Sequence, residues 1–137
     1  MVKKNSFHIF YFLIIFGLMG CTVNDMLRGM DRKFLGAWQS VQGPGVITFY
    51  HDYRYGIDLD GDAAKDAWGR YNVFMDQISL QAEGGMIGEK CHLPGIYRYS
   101  VKGFLKGQEL SFNLMGDQCL ERIATLGVPW KRYKKTK

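Results

Sequence analysis

The sequence predicts an all-β fold: eight antiparallel strands closing into an up-and-down barrel with a short helix before the last strand, or the same strands folded as a β-sandwich. Three observations carry this reading. Apolar and polar residues alternate in segment after segment, and a period of two gives a strand one dry face and one wet face. One-sided strands belong to antiparallel sheets, because parallel sheets bury both faces. The breaks between segments are mostly short, so consecutive strands pair with their neighbours, and closure removes the exposed edges.

In chain order, strands are expected at 35–41, 45–50, 53–59, 68–75, 77–82, 96–102, 108–115 and 128–133. Tyr53, Tyr55, Ile57 and Leu59 share one face of the third strand, and Ile78, Leu80 and Ala82 one face of the fifth. Tyr97, Tyr99 and Val101 do the same in the sixth, and Leu110, Phe112 and Leu114 in the seventh. Gly43-Pro44-Gly45, His51-Asp52 and Met75-Asp76 are tight turns, and Asp60-Gly61-Asp62 heads a longer loop. Residues 83–95, with Gly84-Gly85, Gly88 and Pro94, form the longest connection. Residues 117–127 leave the alternation. There Leu120, Ile123 and Ala124 lie at helical spacing, with Asp117 placed to cap the start, Cys119 on the first turn and Gly127 at the end.

The chain begins differently. Lys3 and Lys4 precede an apolar run from Phe7 to Met19, too short to cross a bilayer as a helix, which needs roughly 20 residues. A charged start, a short apolar centre and a small-residue exit describe a secretory signal. Leu18-Met19-Gly20-Cys21 resembles the bacterial lipobox. That resemblance implies cleavage before Cys21 and acylation of its thiol and new amine with palmitate-like chains. Thr22, where an Asp would mark inner-membrane retention, leans toward the outer membrane facing the periplasm, if the source cell has two membranes. The alternatives are an ordinary cleaved signal with a free Cys21, or an uncleaved anchor. The organisation expected is a signal peptide at 1–20, a polar tether at 21–33, a barrel domain at 34–133 and a basic tail at 134–137.

Charge and cysteines agree with export. Loss of Lys3 and Lys4 lowers the formal charge from +5 to +3. Lys131, Arg132, Lys134, Lys135 and Lys137 hold five of the remaining positive charges, which leaves residues 21–130 at −2. The basic character belongs to a signal and a tail, so the sequence argues against a nucleic-acid partner. With Cys21 assigned to lipid, Cys91 and Cys119 are an even pair in an oxidising compartment, and a disulfide between them is expected. A metal site using Cys91, Cys119 and His92 is the alternative, without further ligands at the usual spacing.

Gly36-Ala37-Trp38, opening the first long strand, resembles the G-x-W signature of lipocalins and the wider calycin group. The stretches "CHLPGIYRY" and "LSFNLMGDQCLERIATLGVPWKR" add to a likeness with small bacterial lipocalin-like lipoproteins over most of residues 34–133. The resemblance implies that Trp38 closes one end of a barrel and that Arg132, in Trp130-Lys131-Arg132, packs across it as a cation–π pair. The strands here are shorter than those of lipocalins with a roomy cup, which implies a partly filled interior.

Two functions are open to such a chain. In the first, Tyr53, Tyr55, Trp68, Tyr71, Tyr97, Tyr99 and Phe112 face inward and line a site for a small apolar or amphipathic ligand. In the second, the same aromatics fill the barrel, and the protein is an interaction, inhibitor or scaffold module for another envelope protein. Asp58, Asp60, Asp62 and Asp66 have the oxygen-rich spacing of a calcium loop. They lack its helical frame and closing Glu, so a solvated turn is expected, with a weak Ca²⁺ site as the alternative and otherwise no cofactor. Ser40, Ser79, Ser100 and Ser111 lie in predicted strands without an elbow or an oxyanion loop, and the chain is expected not to be an enzyme.

Overall fold

The structure, a computed structural model, describes residues 33–86, 89–104 and 107–134. The signal, Cys21, most of the tether and the last three residues lie outside the described residues. The strands are β1 (Gly36–Ser40), β2 (Val46–Phe49), β3 (Arg54–Asp58), β4 (Ala67–Phe74), β5 (Gln77–Gly85), β6 (Gly95–Lys102), β7 (Glu109–Gly116) and β8 (Trp130–Arg132). A helix, α1 (Leu120–Leu126), precedes β8, and a 3₁₀ turn, Glu89–His92, lies in the connection from β5 to β6.

Each strand pairs antiparallel with the next, and β8 returns to β1 through Trp38 opposite Arg132 and Ser40 opposite Trp130, so the barrel is closed. This is the up-and-down barrel of the alternating pattern, not the sandwich. The turns 50–53 and 75–76 and the connection from β6 to β7 lie at one end with the start of β1 and the end of β8. The loops 59–66 and 86–94 and the segment carrying α1 lie at the other.

The dry face of every strand points inward. Trp38, Ile47, Phe49, Tyr55, Ile57, Tyr71, Ile78, Leu80, Tyr97, Leu110, Phe112 and Trp130 form one buried core. Phe34, just before β1, enters this core as a plug. Its ring meets Phe49 at 4.9 Å, Tyr99 at 5.0 Å and Tyr71 at 5.4 Å between centroids. Burying such a ring contributes about 1.5–3 kcal/mol. No alternation points to it, because it precedes the first strand.

Several expected inward positions face out. Tyr53 is 55 % exposed because it belongs to a turn, with φ +63°, and not to a strand. Trp68 is 43 % exposed. It lies three residues from Tyr71, and an odd spacing places the two on opposite faces. Leu59 falls beyond the end of β3, and Leu114 lies at the barrel mouth near a register shift between Ile96 and Tyr97. In α1 the buried residues are Arg122 and Leu126, while Leu120 and Ala124 are exposed. The helix is capped by Cys119, whose sulfur accepts the Arg122 N–H at 3.2 Å, and not by Asp117.

Candidate functional site

At the end where the chain enters, β1 brings Trp38 under the last strand. Its ring is fully buried, and its Nε1 donates to the Phe34 carbonyl at 2.6 Å. The Arg132 guanidinium lies 3.7 Å from the Trp38 ring centroid. Arg132 also donates to the Leu35 carbonyl at 2.5 Å, to Lys33 O at 2.7 Å and to Gln108 Oε1 at 2.9 and 3.1 Å. Burial pushes the Arg132 guanidinium below its ordinary pKa. Gly36 has φ +98°, and a Cβ there would stand 3.3 Å from Arg132 Nη1. The positive φ is what calls for glycine here, and a Cβ would also press on the arginine, which would have to give by a few tenths of an ångström.

The interior is occupied. Tyr71 Oη donates to Tyr50 O at 2.6 Å, and Tyr99 Oη donates to Met75 O at 3.2 Å. Tyr97 Oη donates to the Asp117 carboxylate. These phenols are thus spent on the barrel's own turns and helix segment. Of the expected ligand-lining residues, Tyr55, Tyr71, Tyr97, Tyr99 and Phe112 come together inside, and Tyr53 and Trp68 do not. At the inner mouth, among Ile57, Ala67, Ala82 and the Cys91–Cys119 disulfide, the free space is only about 40 Å³.

That mouth holds a polar cluster that sequence reasoning missed. Arg122 reaches under α1 and donates to Asp117 Oδ2 at 2.6 Å and Oδ1 at 2.7 Å, with both side chains buried. It also donates to Cys91 O at 3.0 Å and Leu93 O at 2.8 Å. The guanidinium therefore ties α1 to the β5–β6 connection, and the disulfide joins Cys91 to Cys119 across the same junction. With the two sulfurs bonded to each other, the pair offers no thiolate to a metal. Burial alone would raise the Asp117 carboxyl, but hydrogen bonds from Arg122, Tyr97 and the Cys119 N–H, with the Arg122 charge, hold it below its ordinary value. Burial, together with Asp117, pushes the Tyr97 phenol well above its ordinary range. A carboxylate locked in this way has no proton to give near neutral pH. The signal for the cluster was the cysteine: a disulfide fixes Cys119 inward, and positions 122 and 126 follow it on the same helical face.

Among the described residues, two open concavities lie outside the barrel wall. One, of about 370 Å³, is bounded by β1, β2 and β3 and by loop 59–66, with Gln39, Thr48, Tyr50, Lys65 and Tyr133 on its walls. A second, of about 390 Å³, runs past Asp52, Arg54, Lys65, Trp68 and Glu83. Lys65 separates them, its Nζ lying 4.8 Å over the Tyr50 ring. Trp68 lies flat on the wall because its cross-strand partner is Gly84, where a Cβ would stand 2.5 Å from the ring. In the loop, the Asp58, Asp60 and Asp66 carboxylates come within 4.8 Å of one another, and Asp62 is not among them. These acids bind their own backbone: Asp58 accepts from Gly61 and Ala63 N–H, Asp60 from Asp62, and Asp66 from Leu59.

No family model, curated protein or solved structure matches the chain. What defines its class is the closed eight-stranded antiparallel barrel with a helix-and-disulfide cap at one end.

Proposed function

We propose that this protein is a non-catalytic, lipid-anchored module of the cell envelope that binds a partner protein on the outside of a filled barrel. The observation that carries the reading is the placement of space. About 40 Å³ is free at the inner mouth, against two outer grooves of about 370 and 390 Å³. Small-molecule sites run from about 300 Å³ upward. Three of the four inward phenols, those of Tyr71, Tyr97 and Tyr99, already bond to Tyr50, Asp117 and Met75, respectively. The outer face offers exposed Trp68 and Tyr50 with ion pairs nearby, such as Arg70 with Glu83 at 2.8 Å. Aromatic side chains and arginine are the residues that carry protein interfaces.

The anchor part rests on the lipobox-like Leu18-Met19-Gly20-Cys21. Cys21→Ser is expected to release the protein from membranes, and its persistence there contradicts lipidation. For the binding face, a photo-crosslinking amino acid at Tyr50, which lines both grooves, is expected to trap one protein in stoichiometric yield. The same probe at exposed Asn113, on β7, is expected to trap none. A small molecule co-purifying one-to-one in native mass spectrometry, with no adduct from Tyr50, would favour the carrier reading instead.

A further inference from the structure

The two ends of the barrel differ in charge. Asp58, Asp60, Asp62, Asp66 and Glu121 crowd the end that carries α1, where Lys65 and Lys90 are exposed cations and the buried Arg122 is already paired with Asp117. At the opposite end the acids are answered by cations. Asp52 pairs with Arg54 at 3.7 Å and Asp76 with Arg98 at 2.9 Å. Glu109 stands between Lys102 and Lys131 on the neighbouring strands. Lys33 and Lys134 add positive charge where the chain enters and leaves.

The same end exposes apolar side chains at the tips of three separate turns. These are Tyr53 after β2, Phe74 (72 % exposed) at the end of β4 with Met75 just beyond it, and Phe104 (83 % exposed) after β6. Scattered exposed apolar residues are ordinary. The α1 end also exposes Leu59, Met86, Leu93 and Leu120, but beside carboxylates; here the tips are mostly aromatic, cap successive hairpins and have lysines beside them, which is the composition of a surface that rests in a headgroup layer. Aromatic tips enter the interface, while cations are drawn to anionic lipid. The chain also enters the barrel here, through Lys33 and Phe34. Cys21 lies 12 residues before Lys33, a reach of at most about 40 Å.

We infer that the rim formed by Tyr53, Phe74, Met75 and Phe104, with Lys33, Lys102 and Lys134, docks on the anionic phospholipid leaflet that holds the anchor. The tether argument rests on the anchor proposed above; the charge and the apolar tips do not. Docked in this way, the barrel stands on its closing Trp38–Arg132 end, and the outer grooves face along the membrane.

The test uses the full chain, isolated from membranes and reconstituted in vesicles of phosphatidylglycerol and dibrominated phosphatidylcholine. Phe104→Trp and Leu120→Trp place reporters at opposite ends, both at exposed sites. Trp38, Trp68 and Trp130 are a background common to both. Emission from Phe104→Trp is expected to be quenched and blue-shifted, and emission from Leu120→Trp to be unaffected. Adding Lys102→Glu and Lys134→Glu to Phe104→Trp is expected to reduce the quenching. Equal quenching at the two ends overturns the docking, as do its absence at Phe104→Trp and indifference to the charge reversal. Crosslinking of Lys102 to a second copy without quenching also overturns it and assigns the rim to a dimer. Sedimentation with native membranes reports the anchor separately. If the chain does not sediment, the anchor reading fails, and the purified chain added to the same vesicles still gives the quenching result.

Discussion

Replacing Asp117 with alanine tests the junction that holds the helix end of the barrel together. In the folded chain the Arg122 guanidinium is buried, and two of its four hydrogen bonds go to Asp117 at 2.6 and 2.7 Å. The substitution leaves that charge in the interior with only the Cys91 and Leu93 carbonyls. Breaking a buried pair from one side costs about 3–5 kcal/mol. The Tyr97 hydroxyl, which donates to the same carboxylate, loses its partner as well. For a domain of this size a loss of 3 kcal/mol lowers Tm by about 12 °C or more. Urea unfolding followed by tryptophan emission measures the difference directly. Arg122→Met leaves the Cys91 and Leu93 carbonyls unpaired, at about 1–3 kcal/mol each. The Asp117→Ala/Arg122→Met double variant shares that cost but buries no lone charge. It is therefore expected to fall short of the sum of the two single effects by about 2 kcal/mol or more. An Asp117→Ala loss below about 1 kcal/mol, or strict additivity in the cycle, refutes the reasoning.

Other perturbations probe neighbouring parts of the account. Gly95→Ala puts a Cβ 2.2 Å from Asp117 Oδ2 and 2.7 Å from Arg122 Nε, so it is expected to destabilise by at least about 1–3 kcal/mol in the same urea assay. Trp38→Phe leaves the buried Phe34 carbonyl without its donor, whereas the Trp130 indole N–H has no partner to lose. Trp38→Phe should therefore cost about 1 kcal/mol or more beyond Trp130→Phe. Reducing the Cys91–Cys119 bridge, which closes a separation of 28 residues, is expected to remove about 3.5 kcal/mol, read as a Tm drop with and without reductant. Because the folded-state Asp117 value lies below its ordinary 3.8, its contribution is complete above that pH and is lost as pH falls through the lower folded value. Tyr97 works in the opposite sense. Its raised phenol keeps its contribution below pH 10.0, the ordinary value, and loses it as alkali rises, so a pH series of Tm should fall at both extremes.

The strands were legible because alternation is a direct print of the pleat. Expected and observed bounds differ by only a few residues at most ends, as for 77–82 against Gln77–Gly85. The pairing of Trp38 with Arg132 was legible through the G-x-W resemblance, and the register places them opposite each other. Trp68 and Tyr53 were misplaced for two different reasons. Counting aromatics without parity sent Trp68 inward, and a left-handed turn residue cannot be told from the first residue of a strand by alternation alone. The helix was found, but its buried face was not. Hydrophobicity points to Leu120, Ile123 and Ala124, whereas the structure buries an arginine, because Asp117 and two carbonyls wait for it. Polar burial of that kind is set by partners distant in sequence, and local pattern cannot show it. The acidic loop reads as a cation site by composition, yet its oxygens serve backbone N–H groups seven or fewer residues away.

The central claim is that the barrel is full and binds from outside. Its most direct test is methyl NMR of isoleucine-labelled protein titrated with a long-chain fatty acid. Ile47, Ile57 and Ile78 point into the core, and Ile96 is exposed. In a filled barrel the three inner methyl signals stay fixed to saturation, with any movement confined to Ile96 and other surface positions. Saturable shifts of Ile47 and Ile78 would mean that a ligand enters between them, and would contradict it.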